Sequence, residues 1–260
     1  SLGVAEIQQQ RALRQMFVKF RSTISPVYQK LSCVQLRKHR KFSSYGQYES
    51  HEGKERYIKG LILANILVSC AWWSAEKTHK PSPSFMYNHF TISTHGFFRK
   101  HNYHTAVTAL FSHIDPFHLA VNSFVLYSFG TNVINVFGTA RIAVLYLGGG
   151  VVSSLAYVFW PYVIPKSWPA HHLHRDAPGL GASGAINSLL IWTVMRAPMN
   201  MFYFYGVIPV PAVAAGVGLV AMDAMGLYGG STNNVGNIAH LAGAAFGAVY
   251  FLATKRFRRF

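Results

Sequence analysis

From residue 57 to 74 the sequence is almost unbroken apolar chain and closes on the pair Trp72-Trp73. A run of this kind must be buried in a protein core or in lipid, and a tryptophan pair at its end suits a membrane interface. Comparable stretches recur at 116–137, 139–164, 184–195, 212–227 and 238–254. A membrane-crossing helix needs about 20 apolar residues, with roughly 17 the lower limit. The fourth and fifth stretches are short, which a bundle tolerates where neighbouring helices shield their ends. The expectation is an all-α polytopic membrane protein with six transmembrane helices.

Composition separates this fold class from its rival, a soluble helical protein with apolar buried helices. Only 12% of the 260 residues are charged and 51% are hydrophobic, against about a quarter charged in an ordinary globular chain. Nearly all the charge lies outside the six stretches, so soluble helices would lack a charged outer face. Two cysteines, Cys33 and Cys70, cannot build a disulfide framework or a zinc site.

The chain divides into three segments: a basic N-terminal extension over 1–56, a six-helix core over 57–254 and a basic tail over 255–260. The extension holds 11 Lys and Arg against 4 Glu. It is Arg-rich, Ser-bearing and acid-poor up to Lys41, the composition of a mitochondrial presequence or of the stretch left after one is trimmed. Residues 12–20 could form a short basic amphipathic helix on an anionic membrane surface. With six spans both termini share one side, and that side collects 18 of the 24 Lys and Arg. The positive-inside rule puts that side in the matrix of a mitochondrion. The basic residues flank spans and do not form a face interleaved with aromatics, so nucleic acid is not an expected partner.

Polar side chains inside apolar spans are costly in lipid and mark function. His118 and Asn122 stand four residues apart on the second span and share a helical face. Ser183 lies where a glycine-rich turn, Leu180-Gly181-Ala182-Ser183-Gly184-Ala185, opens into the fourth span, and His240 lies inside the sixth. Taken singly, each could be interhelical glue. Together they supply the parts of acyl transfer. A serine hydroxyl needs a base to remove its proton, and an imidazole does this best near neutral pH. The oxyanion that forms needs preorganised donors, available from the Asn122 amide, a His118 ring N–H and the Ser183 backbone N–H at a helix start.

Ala239, Gly243 and Gly247 recur every four residues, a small-residue stripe that lets a partner helix approach closely. If that partner is the fourth span, led by Gly181, Gly184 and Ala185, His240 comes within reach of Ser183. Asp223 is the only acid within a span and could orient an imidazole, pack or handle protons; a Ser/His dyad is the favoured arrangement. Gly148-Gly149-Gly150 lacks the Lys-Ser/Thr of a phosphate loop. Residues 181–185 do not form a G-x-S-x-G elbow, since the fifth residue is alanine. His171, His172 and His174 have no carboxylate or cysteine close in sequence to suggest a metal site.

The motifs Gly181-x-Ser183-Gly184, Ala239-His240-x-x-Gly243 and His118-x-x-x-Asn122, in the family's order, resemble those of the rhomboid intramembrane serine proteases. Phe111-Ser112-His113, residues 125–129 and Ala221-Met222-Asp223 are similar to the mitochondrial, presenilin-associated rhomboid-like branch. The resemblance covers about residues 57–254. It implies a six-helix core around a water-filled cavity, with Ser183 as nucleophile, His240 as general base, and His118 and Asn122 stabilising the oxyanion, and with no metal and no cofactor needed. The implied substrates are single-span membrane proteins that enter laterally from the bilayer, and the implied location is the inner mitochondrial membrane. The sequence departs from many rhomboids at Tyr103-His104, where they carry Trp-Arg. Two other functions compete: a structural or recruiting subunit of a larger inner-membrane assembly, and a small-molecule channel or transporter, for which no inverted repeat is evident.

Overall fold

The computed structural model describes residues 50–163, 177–204, 208–228 and 234–256. Most of the basic extension, including 12–20, lies outside them, as do His171, His172, His174 and the last residues of the tail.

Helix α1 runs His51–Thr78, beginning six residues before the apolar run that marks it in the sequence. Ser50 caps it by accepting from the Gly53 N–H, and the first turns are closed by exposed pairs Arg56–Glu52 and Lys59–Glu55, each spaced i,i+4. Residues assigned to the basic extension therefore form the solvated start of the first span. Polar side chains tie this helix inward: Asn65 Nδ2 donates to Tyr146 Oη at 3.2 Å, and Trp72 Nε1 to Ser112 Oγ at 3.2 Å.

Three short helices come next, α2 (Pro83–Phe90), α3 (Thr94–Phe98) and α4 (Thr105–Thr108). Ser82 and Ser93 cap the first two through their side chains. Helix α5 (Pro116–Phe137) starts sharply: Pro116 occupies the first turn, and Asp115 accepts from the N–H groups of Phe117 and His118. Helix α6 (Thr139–Val163) contains one π turn, Val144–Gly148, in which the Leu145 carbonyl accepts from Ser188 Oγ at 2.6 Å.

Helix α7 (Ser183–Arg196) is 14 residues, about 21 Å long. That is too short to cross a bilayer alone, and nine of its residues are buried among the other helices, which is what allows it. A hairpin of strands β1 (Met201–Phe204) and β2 (Ile208–Pro211), paired from Met201 with Pro211 to Phe204 with Ile208, departs from the all-α expectation. Phe202 stacks on Phe129 of α5 with centroids 4.0 Å apart, anchoring the hairpin to the bundle. Helices α8 (Ala212–Tyr228) and α9 (Asn234–Arg256) are the last of the described elements.

The molecule is thus mostly helical, and among the described residues four helices, in α1, α5, α6 and α9, are long and apolar enough to cross a membrane. Helix α8 is a shorter apolar helix. Large apolar side chains point outward along the bundle, among them Leu67, Phe124, Val217, Met222, Met225 and Val249. An apolar exterior of this extent belongs against lipid.

Helix α9 lies directly on α7. A Cβ on Gly243 would overlap the carbonyl oxygen of Gly184, and one on Gly247 would overlap that of Ser188. Gly184 in turn has no room for a side chain because Ser153 Oγ of α6 occupies the place. These glycines replace side-chain packing with main-chain contact, and Ala239, next to His240, is drawn against α7 at the same level.

Candidate active site

Ser183 is presented by residues 177–182, which four different segments hold in place. Tyr157 Oη of α6 donates to the Ala177 carbonyl at 3.0 Å, and its ring fills the space beside Gly179, where a Cβ would come within 2.8 Å of Cζ. Gly179 and Ile92 exchange two backbone hydrogen bonds, at 2.7 and 2.8 Å. The Gly181 N–H donates to the Ala109 carbonyl at 2.9 Å, and the Ala182 N–H to His113 Nε2 at 3.4 Å. Gly181 has φ +122°, a conformation side chains rarely adopt. A Cβ there would lie 3.0 Å from His118 Cε1 and 3.9 Å from Ser183 Oγ, so the glycine keeps open the space between that ring and the hydroxyl.

Among the described residues no side chain caps α7, whose N-cap is Ala182. The N–H groups of its first turn, that of Ser183 among them, therefore lack helical partners and carry the positive end of the helix dipole. Ser183 Oγ lies 2.7 Å from His240 Nε2 of α9, and His240 Nδ1 lies 2.9 Å from Asp223 Oδ1 of α8. The assignment consistent with both contacts has Nδ1–H donating to the carboxylate and Nε2 accepting from the hydroxyl. The His240 side chain is 30% exposed and that of Asp223 12%, so the imidazole is reachable while the acid is enclosed.

The structure thus joins three groups where the favoured expectation had two. Asp223 was legible as the only acid within a span, but its link to His240 depends on where α8 sits against α9. His118 and Asn122 stand beside this row on one face of α5. Among the described residues neither is hydrogen-bonded to Ser183 or His240; the His118 ring lies beside Gly181, and Asn122 Nδ2 lies 3.0 Å from His113 Nε2.

His113 is the functional neighbour that sequence reasoning passed over. It is fully buried, contacts Asn122 and Ala182 through one nitrogen, and meets the His118 ring edge to face at 5.1 Å. Burial and, secondarily, the nearby His118 push its pKa down to about 4. The Phe111 carbonyl pulls in the opposite direction without reaching hydrogen-bonding geometry, and among the described residues Nδ1 has no hydrogen-bond partner. A neutral ring lets Nε2 accept from the Asn122 amide, fixing that amide's orientation. In the sequence it stands five residues before His118, in a segment without apolar periodicity, and the likeness of Phe111-Ser112-His113 to the mitochondrial branch gives it no role. Among the described residues no group of three or more His, Cys, Asp or Glu is gathered to hold a metal ion.

A Rhomboid domain matches residues 100–257. RHOMBOID-like protein 12, mitochondrial, of Arabidopsis thaliana is 34% identical over 208 residues, 77% of this chain and 59% of that protein. The presenilin-associated rhomboid-like proteins, mitochondrial, of Rattus norvegicus and Homo sapiens are 33% and 32% identical, each over 75% of this chain and 48% of their own length. The chain therefore spans about half the length of the curated relatives it matches. Mitochondrial relatives and membrane-length helices together support a mitochondrial membrane protein. With a domain match over most of the chain and relatives a third identical across three quarters of it, the chain belongs to the rhomboid family.

Proposed function

We propose that the protein is an intramembrane serine protease, a multi-pass protein of the inner mitochondrial membrane with six spans, hydrolysing peptide bonds in or near the transmembrane segments of single-span membrane proteins. The observation that carries this reading is the continuous row Ser183 Oγ, His240 and Asp223, with contacts of 2.7 and 2.9 Å.

The chemistry is set by those atoms. His240 Nε2 takes the Ser183 proton as Oγ attacks the scissile carbonyl carbon, and the imidazolium so formed is stabilised by Asp223 through Nδ1–H. The carbonyl oxygen, now an oxyanion, occupies the space that Gly181 keeps open, next to the His118 ring, the Asn122 amide and the first-turn N–H groups of α7. His240 then returns the proton to the departing amine, leaving an acyl-enzyme. A water, deprotonated by the same Nε2, releases Ser183.

A fluorophosphonate probe tests this on the detergent-solubilised chain. Wild type is expected to become covalently modified at Ser183, and Ser183→Ala and His240→Ala to remain unmodified. Folded wild type that resists the probe would replace the protease by the structural-subunit role.

A further inference from the structure

The segment between α1 and α5 brings together two histidines that the row around Ser183 does not use. His89, in the last turn of α2, and His104, just before α4, are fifteen residues apart in sequence, with His89 Nδ1 3.0 Å from His104 Nε2. Their rings stack with centroids 5.1 Å apart and planes inclined by 27°. His89 is half-buried and His104 exposed, so the pair is open to solvent. The mounts are firm: Thr108 Oγ1 donates to the His89 carbonyl and also, at 3.3 Å, to that of His104, while Phe85 packs on the His89 ring at 4.6 Å.

We propose that His89 and His104 form a two-imidazole binding site for a divalent first-row transition-metal ion, with water completing the coordination. An ion bound at about 2.0–2.1 Å, with N–M–N angles of about 90–109°, holds its two nitrogen donors roughly 2.9–3.4 Å apart. The pair already stands within that interval. Neutral imidazole is the commonest protein ligand for such ions. Without an ion the two facing nitrogens share one N–H in a hydrogen bond; binding moves that proton to the far nitrogen of the same ring, leaving His89 protonated on Nε2 and His104 on Nδ1, so no net proton is released from the neutral pair. Two ligands on separate, anchored segments are set at the required separation before the ion arrives.

Among the described residues no carboxylate joins the pair as a third ligand. A site of nitrogen ligands alone favours ions that bind imidazole strongly, copper above all and zinc among the others, over magnesium or calcium. A bound ion would tie the end of α2 to the start of α4. The adjoining residues Ile92 and Ala109 are the ones that hold Gly179 and Gly181.

The test uses the full chain in mild detergent, stripped of metal and titrated with Cu²⁺ or Zn²⁺ at pH 7.5. His89→Asn and His104→Asn are each expected to lose one bound equivalent relative to wild type, together with the Cu²⁺ electron paramagnetic resonance component from two equatorial nitrogens. The remaining histidines are common to all three proteins and cancel. Equal stoichiometry in wild type and both variants, or loss in one variant only, overturns the site. A measurement on wild type alone stands independent of variant folding: Zn²⁺ should protect both rings from diethylpyrocarbonate, as located by mass spectrometry. Unprotected rings at saturating Zn²⁺ would equally overturn it.

Discussion

His240 bonds Asp223 through Nδ1 at 2.9 Å while its Nε2 lies 2.7 Å from Ser183 Oγ, so one imidazole is committed at both nitrogens to groups from two other helices. The carboxylate fixes which nitrogen carries the proton. Asp223→Asn should therefore lower turnover on the order of 10²- to 10⁴-fold, as expected where the wrong tautomer is held, with an unchanged melting temperature. A change under about threefold in peptide cleavage would remove Asp223 from the mechanism.

His118→Ala and Asn122→Ala are each expected to cost about 10²-fold in kcat, the loss typical of an oxyanion donor, with KM little altered. Steady-state cleavage of a membrane-protein substrate measures both. Loss confined to KM would place these residues in substrate binding instead.

His113 makes stability depend on pH. Its ring titrates near 4 in the folded chain against an ordinary 6.5, so between those values the unfolded chain binds a proton that the folded chain does not. The contribution is complete above about pH 6.5, declines as pH falls toward about 4 and is then lost, amounting to roughly 3 kcal/mol. Thermal melting across pH 4–7 should show this slope in wild type and a shallower one in His113→Asn. Parallel profiles would contradict the assignment. The same variant releases the Asn122 amide, and turnover should fall roughly tenfold even at neutral pH.

Gly243→Ala places a methyl group on the Gly184 carbonyl, where no flexible side chain can yield. Overpacking of this kind costs about 1–3 kcal/mol and pushes α9 from α7. Probe labelling of an intact Ser183 should drop along with the melting temperature. Gly218→Ala, on α8 with nothing within 4 Å of the added group, serves as the control and should leave both unchanged.

The helical bundle was legible because lipid demands apolar runs, and Ser183, His240, His118 and Asn122 stood out because few polar groups interrupt those runs. The glycine stripe of α9 was legible for a similar reason: residues without side chains at every fourth position have little use except close approach. Other parts left no such trace. Helices α2 to α4 are short, the first two held by serine caps and the three packed on α1 or α6, so residues 83–108 carry no period of their own. The β1–β2 hairpin combines Phe202 with Pro209 and Pro211, and the stacking on Phe129 that anchors it is a tertiary contact. His113 acquires its role wholly from what the fold sets against it.

Main chain meets main chain where Gly243 faces Gly184, one turn along from His240. The side chain beside this contact, Ser153, is itself held by the Gly149 carbonyl at 2.7 Å, so rotamer hopping has little to act on there. The separation of the hydroxyl from the imidazole is consequently governed by covalent dimensions of two rods in contact, and warming should leave it unaltered until those rods part as whole bodies. Loss of the reactive pair and loss of the bundle then become a single cooperative event.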